Sequence, residues 1–170
     1  MIDKKISEML NDQFAREFYS AYLYLDFNNY FLLRGLDGFA KWFHVQSREE
    51  LDHGMMIYDY LHTEDESVML PAIESPVCTA QCDLDILRMA LKHERYITAS
   101  IHAIYSEACR QQDYRTRQFL DWFVREQAEE ESEAGNLITR YQLFASDGKG
   151  LYQLDKELGH RRYKPLRLAF

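Results

Sequence analysis

The sequence predicts an all-α protein, a four-helix bundle with a long crossover between the second and third helices and a short fifth helix near the C-terminal end. Three observations predict this fold. The 170 residues include only three prolines, and proline is strongly excluded from helix interiors. Four long stretches carry apolar residues at the three-four spacing of an amphipathic helix. None of these stretches shows the alternation that is typical of a half-buried strand.

The first two helices are predicted to form a hairpin. Residues 5–33 follow one helical pattern, glycines at 35 and 38 mark a short turn, and a second pattern covers about residues 39–63. The stretch 64–82 contains two of the prolines together with acidic and small polar residues, which indicates a connection. Its roughly 19 residues can extend over ~60 Å, enough to run the length of a ~40 Å helix. A long crossover is therefore allowed, although the count does not require it.

The second half of the chain predicts another hairpin. The third helix should begin near Asp83, a residue type that favours the N-cap position, and should end near Arg110. A tight turn at 111–113 leads into a fourth helix that reaches about residue 145. After a turn at 146–150, a short helix over 151–158 should stop at Gly159, because glycine commonly follows the last helical residue.

Composition limits the possible functions. The chain is long enough for one domain with a sizeable core, and its net charge of -8 argues against nucleic-acid binding and allows attraction of cations. Three cysteines, at positions 78, 82 and 109, suggest a reducing compartment rather than a disulfide scaffold. The first residues lack the apolar run of a secretory signal, and no run approaches the ~20 apolar residues of a membrane span. We therefore expect a cytoplasmic protein without a membrane partner.

Each of the four long helices has an apolar seam with one glutamate near its middle, namely Glu17, Glu50, Glu94 and Glu130. Each residue of a helix rises ~1.5 Å. Glu17 and Glu50 lie about 18 and about 14 residues from the first turn, and the other two lie about 18 residues on either side of the second turn. The carboxylates of each hairpin should therefore meet at a similar height, in the core. His53 follows Glu50 by three residues and shares its helical face.

Four carboxylates in a bundle core indicate bound cations. Bringing them together without positive charge would cost many kcal/mol. Two divalent metal ions would balance the four negative charges, and His53 would add a neutral nitrogen ligand. Oxygen ligands with one nitrogen suit iron or manganese, with zinc as a competitor. A single glutamate on a seam is usually solvated, and a single core histidine is usually just hydrogen-bonded, so the prediction rests on the whole set. Tyr24 could be a neighbour of the metals or simply a buried aromatic with a satisfied hydroxyl.

Several motifs add a family resemblance. They are Glu17-Phe18-Tyr19 followed by Tyr24, the stretch EELDH at 49–53, Glu94, the stretch FLDWFVREQAEEE at 119–131 and the stretch GKGLYQLDKEL at 148–158. With these residues the chain resembles the bacterial non-haem ferritins, within the ferritin-like di-iron family, over nearly its whole length. The resemblance implies a ferritin-like bundle over residues 1–160, followed by a basic tail at 161–170.

The resemblance also implies a site and an activity. Glu17, Glu50 and His53 would hold one iron, while Glu94 and Glu130 would hold a second, with Glu50 bridging the two. Gln127 would lie nearby, and a third iron site would map to Glu49, Glu126 and Glu129, with Glu130 shared. The implied activity is that of a ferroxidase, which oxidises Fe(II) with dioxygen or hydrogen peroxide. The implied function is iron storage, with the product kept as a ferric oxyhydroxide mineral. The implied assembly is a shell of 24 subunits.

Departures from related families narrow this expectation. Bacterioferritin would have a second Glu-x-x-His, whereas positions 127 and 130 are glutamine and glutamate here. It would also have a methionine haem ligand where this chain has Leu51, so no haem is expected. Ala128 stands where many bacterial relatives have histidine. The basic tail is unlike the tails of the family, and we expect it to be a solvated or disordered end.

Three alternatives must be compared with this interpretation, and the sequence disfavours the second and third of them. The first is a metal-free structural bundle, which would not bind Fe(II) in a fixed ratio. The second is an iron-dependent peroxidase of the rubrerythrin type, which would need a C-x-x-C module that this sequence lacks. The third is a DNA-protecting mini-ferritin, whose metal ligands come from two subunits, whereas the present set fits within one chain.

Overall fold

The protein forms a bundle of four long helices with a short fifth helix, as a computed structural model shows for residues 2–166. In this part of the chain there are five helices and no strand, so the predicted all-α fold is confirmed. The first helix packs along the second and the third along the fourth, and the short fifth helix contacts the second and fourth. Residues 64–82 form the long connection between the two hairpins. The helices are α1 (Lys4–Leu33), α2 (Asp37–Thr63), α3 (Asp83–Arg110), α4 (Tyr114–Phe144) and α5 (Gly148–Leu158).

Side-chain caps explain where three of the helices begin. Asp3 accepts a hydrogen bond from the backbone N–H of Lys5 ahead of α1. Asp113 accepts from Thr116 ahead of α4, with an oxygen–nitrogen distance of 3.1 Å. Asp147 accepts from Gly150 at 2.8 Å. Because that cap satisfies a backbone donor of the first turn, α5 begins three residues earlier than the sequence predicts.

Asp83 does not cap α3 as predicted. Cys82 occupies the N-cap position without a side-chain hydrogen bond, and Asp83 is the first residue inside the helix. Its carboxylate is buried and accepts from Tyr30 at 3.0 Å, from Arg34 at 3.1 Å and from Tyr141 at 3.2 Å. An N-cap role was wrong because this carboxylate instead connects α1, α3 and α4 through donors that the local sequence does not reveal.

The short helix α5 is fixed against the beginning of α2. The carboxylate of Asp155 accepts from the backbone N–H groups of Gly38 and Phe39 at 2.9 and 3.0 Å, which places a negative charge at a helix N-terminus. A Cβ atom at Gly38 would lie 1.7 Å from the carbonyl oxygen of Asp155. The close approach of the two helices therefore requires glycine at position 38.

Two apolar clusters fill the bundle on either side of a polar level. One cluster contains Ile6, Leu10, Ile57, Ile101 and Leu120, and the other contains the aromatic rings of residues 27, 31, 39 and 43. The polar level between them is where the four seam glutamates lie. The rigid packing on both sides leaves little room for these carboxylates to move.

Two further expectations concern the surface and the cysteines. No helix within residues 2–166 is long and apolar enough to cross a membrane. Cys78, Cys82 and Cys109 are free and exposed, in agreement with the expectation that they do not form a disulfide scaffold.

Candidate metal centre

The four seam glutamates converge in the core, one from each long helix. Glu17, Glu50 and Glu94 are no more than 3% exposed, and Glu130 is 8% exposed. Within residues 2–166, three groups of side chains could each bring ligand atoms within 4.8 Å of one another. They are Glu17 with Glu50 and His53, Glu50 with Glu94 and Glu130, and His53 with Glu126 and Glu130. The predicted convergence is present, and the role of these residues as ligands stays a prediction.

In the first group, neighbouring side chains hold both acids but leave one oxygen of Glu17 and one nitrogen of His53 unpaired within residues 2–166. Gln13 donates from Nε2 to Oε1 of Glu17 at 2.7 Å. Oε2 of Glu50 lies 3.3 Å from Nδ1 of His53. Oε2 of Glu17 and Nε2 of His53 are buried and have no hydrogen-bond partner within the described part of the chain. Buried polar atoms are rarely left unpaired, so these two atoms are available for a ligand.

In the second group, a glutamine links two of the carboxylates. Gln46 donates from Nε2 to Oε1 of Glu50 at 3.0 Å and to Oε1 of Glu130 at 2.8 Å. Gln127 donates to Oε2 of Glu94 at 3.1 Å. Oε2 of Glu130 is buried and lacks a partner among residues 2–166. The glutamines therefore orient the acids and leave at least one oxygen of Glu130 free.

Tyr24 is fully enclosed at the same level. Its hydroxyl donates to Oε1 of Glu94, and its ring stacks on Phe43 with 5.8 Å between the centroids. Burial, together with the negative charges of Glu94 and Glu50, raises the pKa of Tyr24 well above its ordinary value. The phenol therefore stays protonated and remains a hydrogen-bond donor. Its predicted position beside the carboxylates agrees with the structure.

Sequence reasoning did not assign roles to Gln13 and Gln46. Each lies four residues before a seam glutamate, on the same helical face, so its amide can reach the carboxylate one turn later. A glutamine at such a position on two otherwise apolar seams was the available signal. Both glutamines are buried, and each fixes a carboxylate that would otherwise have to find its own donor.

Burial and mutual repulsion shape the proton balance of the centre. Burial, with the negative charge of Glu50, raises the pKa of Glu17 to about 8 and that of Glu94 to about 7. The same causes raise the pKa of Glu130 well above its ordinary value. Burial also opposes ionisation of Glu50, but the neighbouring His53 outweighs it, so the pKa of Glu50 is lowered.

His53 carries the compensating charge when no metal is bound. Burial lowers its pKa, but the charge and hydrogen bond of Glu50 raise it to about 9 overall. At neutral pH the metal-free centre is therefore an ion pair of Glu50 and His53 beside Glu17 and Glu130, which largely keep their protons, and Glu94, which is partly ionised. Divalent cations can replace the protons of the centre without creating an unbalanced charge in the core.

The residues predicted for a third iron site are not all gathered in one group. Glu126 lies in the group with His53 and Glu130, whereas Glu49 and Glu129 belong to none of the groups found within residues 2–166. Glu129 is exposed. Glu49 forms an ion pair with Arg161, with 2.7 Å between Oε2 and Nη2. The third site stays a prediction, and one of its acids already has a cationic partner.

Comparisons with known proteins identify the family and the fold. A model of the ferritin-like domain matches residues 7–144. The chain is 32% identical over 160 residues to a probable bacterial non-haem ferritin-like protein of Haemophilus influenzae, covering 94% of this chain and 97% of that one. It is 32% identical over 156 residues to a bacterial non-haem ferritin of Campylobacter jejuni, covering 92% and 93%. An engineered closed form of the Archaeoglobus fulgidus ferritin superposes with a TM-score of 0.94 at 38% identity, covering 96% and 100%.

Proposed function

The chain belongs to the ferritin family, alongside the bacterial non-haem ferritins, and from this premise we propose that it oxidises Fe(II) at a di-iron centre within each subunit and stores the product as a ferric mineral. One observation carries the proposal. Two groups of buried ligands lie within a single chain and share Glu50. A shared carboxylate can bridge two metal ions and hold them close together.

Each side chain has a defined task in this proposal. Glu17, Glu50 and His53 bind one Fe(II), and Glu50, Glu94 and Glu130 bind the other. Anionic oxygen ligands stabilise Fe(III) relative to Fe(II), so they favour loss of an electron from each ion. Two Fe(II) ions supply two electrons, which reduce dioxygen to hydrogen peroxide as it takes up two protons. With hydrogen peroxide as the oxidant, two electrons and two protons give two waters.

Tyr24 and Gln127 support the second ion. Both donate hydrogen bonds to Glu94, so that carboxylate shares its charge between its donors and the metal. Gln127 is neutral, whereas a histidine there would be a strong metal ligand. We infer that the second ion is held more weakly than the first and can leave for storage. The centre would then turn over iron as a substrate and would not keep it as a resident cofactor.

Storage requires a closed assembly, which we propose to be a shell of 24 copies in the cytoplasm. Several large apolar side chains are exposed on the single chain, among them Leu33 at 82%, Leu70 at 75% and Val77 at 71%. Apolar surface of this kind is typical of faces that bind other subunits. Free cysteines on the surface agree with a reducing compartment.

Substitution of the shared acids tests the proposal. We expect Glu50→Ala and Glu130→Ala to reduce the initial rate of Fe(II) oxidation sharply, since each loses a ligand of the second ion. Glu8, an exposed glutamate on α1, provides the control Glu8→Ala, which should keep the wild-type rate. Size-exclusion chromatography should show the same large particle for all three. Wild-type initial rates in both core variants would contradict the site, and no stoichiometric Fe(II) binding would favour a metal-free structural bundle.

A further inference from the structure

The part of the basic tail that the structure describes, residues 161–166, packs against the bundle, whereas the sequence suggests a solvated or disordered end. After α5 the described chain runs back along α2 as far as residue 166. The hydroxyl of Tyr163 donates to Oδ2 of Asp52 at 2.7 Å, and the backbone N–H of Leu166 donates to the same oxygen at 3.0 Å. The guanidinium of Arg48 stacks on the ring of Tyr163, 3.8 Å from its centroid. We call residues 160–166 the docked segment.

Arg161 is the charged anchor of the docked segment. Its Nη2 lies 2.7 Å from Glu49 of α2 and 3.5 Å from Glu133 of α4. The guanidinium lies over the ring of Trp42, 4.3 Å from its centroid, and the side chain is 20% exposed. Arg161 therefore spans the gap between α2 and α4 on the side where Glu49 lies. Next to Glu49 along the chain is Glu50, the acid shared by the two proposed iron ions.

Arg161 opposes the binding of a divalent cation at Glu49. The carboxylate carries one negative charge, which the guanidinium already balances at hydrogen-bond distance. Arginine stays charged at every physiological pH, so it cannot give way by losing a proton. A metal ion that bound Glu49 would face this positive charge at close range, and the repulsion would weaken its binding unless Arg161 moved away. The pair with Arg161 is also partly shielded from water, which reduces screening.

Not every hydrogen-bond donor of Arg161 is paired in the docked segment. Its Nη1 atom is buried and has no hydrogen-bond partner within residues 2–166. An unpaired buried donor weakens the docked state. The docked segment is thus well placed to be displaced as a unit, because Tyr163 and Leu166 depend on a single acceptor, Asp52.

We propose that the docked segment limits the number of iron ions that each subunit binds, because Arg161 withholds Glu49 from a third ion. With the segment docked, the subunit binds the two ions of the proposed ferroxidase centre. A third ion binds at Glu49 only after Arg161 leaves. This proposal rests on the proposed function, since it concerns iron beyond the first two ions.

Anaerobic calorimetric titration of the metal-free protein with Fe(II) tests the proposal by counting bound ions. We expect two ions per subunit for the wild type and three for Arg161→Gln. Arg162→Gln is the matched control, because Arg162 is the neighbouring exposed arginine and should leave the count at two. Tyr163→Ala is a second route to the same result, because it undocks the segment and keeps the charge of Arg161. Adding Glu49→Gln to Arg161→Gln should return the count to two.

The possible results separate the two proposals. A third ion in the wild type, or equal counts for Arg161→Gln, Tyr163→Ala and Arg162→Gln, would overturn the role of the docked segment. An absence of tight Fe(II) binding in every variant would overturn the proposed function instead. Anomalous scattering from crystals soaked in ferrous salt should place the additional ion of Arg161→Gln beside Glu49, and a position elsewhere would also overturn the inference.

Discussion

The substitution Glu17→Gln tests two effects of this carboxyl group separately. One is its cost to the folding stability of the metal-free protein, and the other is its contribution to metal binding. Glutamine has nearly the same shape as glutamate, and its side-chain oxygen can still accept the hydrogen bond from Gln13. The substitution removes one ionisable group from the core and one metal ligand from the proposed centre. We therefore expect it to stabilise the metal-free protein while it weakens metal binding. A purely structural glutamate would show the opposite pattern.

The expected magnitude follows from the pKa of Glu17. Burial, with the charge of Glu50, raises this pKa from 4.5 to about 8. At pH 7 the carboxyl group is ionised in the unfolded chain and protonated in the fold, so folding loses ~1.4 kcal/mol for each pH unit between 4.5 and 7. That is ~3.5 kcal/mol, which is an upper limit because Glu50 and His53 share protons with Glu17. The loss is absent below pH 4.5 and complete above pH 8.

The assay is thermal unfolding of the metal-free proteins at pH 7, at one scan rate because large assemblies often unfold irreversibly. A gain of ~1–3 kcal/mol should raise Tm by ~2–10 °C in a chain of this size. Glu8→Gln is the control on the same helix, because Glu8 is exposed and forms only a surface ion pair with Lys4, so Tm should scarcely change.

The second half of the assay adds metal. With Co(II) as a redox-stable divalent ion, wild-type Tm should rise well above its metal-free value, whereas the increase for Glu17→Gln should be much smaller. A lower metal-free Tm for Glu17→Gln than for the wild type would refute the assignment of a charge penalty to this position. A metal-induced increase equal to that of the wild type would refute its role as a ligand.

Three further predictions concern pH, amide support and helix packing. Co(II) affinity, measured by calorimetry at pH 6, 7 and 8, should rise with pH. The ions must displace protons from Glu94 and His53, whose pKa values are raised to about 7 and about 9. An affinity independent of pH would contradict this prediction. Gln46→Leu should weaken Co(II) binding ~10-fold or more, because it removes the donor that orients two carboxylates. Gly54→Ala should lower the free energy of unfolding by ~1–3 kcal/mol, since a Cβ atom there would lie 2.6 Å from a phenylalanine ring. Its control, Gly135→Ala, meets nothing within 4 Å and should raise that free energy by ~0.5–1 kcal/mol in thermal unfolding.

The bundle and the level of its acids could be predicted because they depend on local rules. Prolines, glycines and turn residues set the helix limits to within a few residues, and a constant rise per residue set the heights of the glutamates. The start of α5 was missed because Asp147 caps a turn that the sequence groups with the loop. Asp83 was misassigned because its partners lie 49 or more residues away in the chain. Local propensity describes a helix end, but it does not describe which other helices reach it.

The docked segment was beyond sequence reasoning for the same reason. Arg161 and Glu49 are 112 residues apart in the chain, and a run of basic residues usually indicates a solvated end. Their contact depends on α5 bringing the chain back to α2, which follows from the packing of Asp155 against Gly38. The contact between Gly38 and Asp155, remote from the metal centre, thus determines the position of the positively charged Arg161 beside that centre.

The proton balance of the centre explains how this chain can fold before it meets iron. Four ionised glutamates would prevent the core from closing. Burial instead raises the pKa values of Glu17, Glu94 and Glu130, so these acids carry far less negative charge than they would in water, while Glu50 pairs with His53. Most of the negative charge is therefore removed from the metal-free core. Fe(II) exchanges with protons in a bundle that is already folded. The fold therefore does not depend on bound iron, as reversible storage of the metal requires.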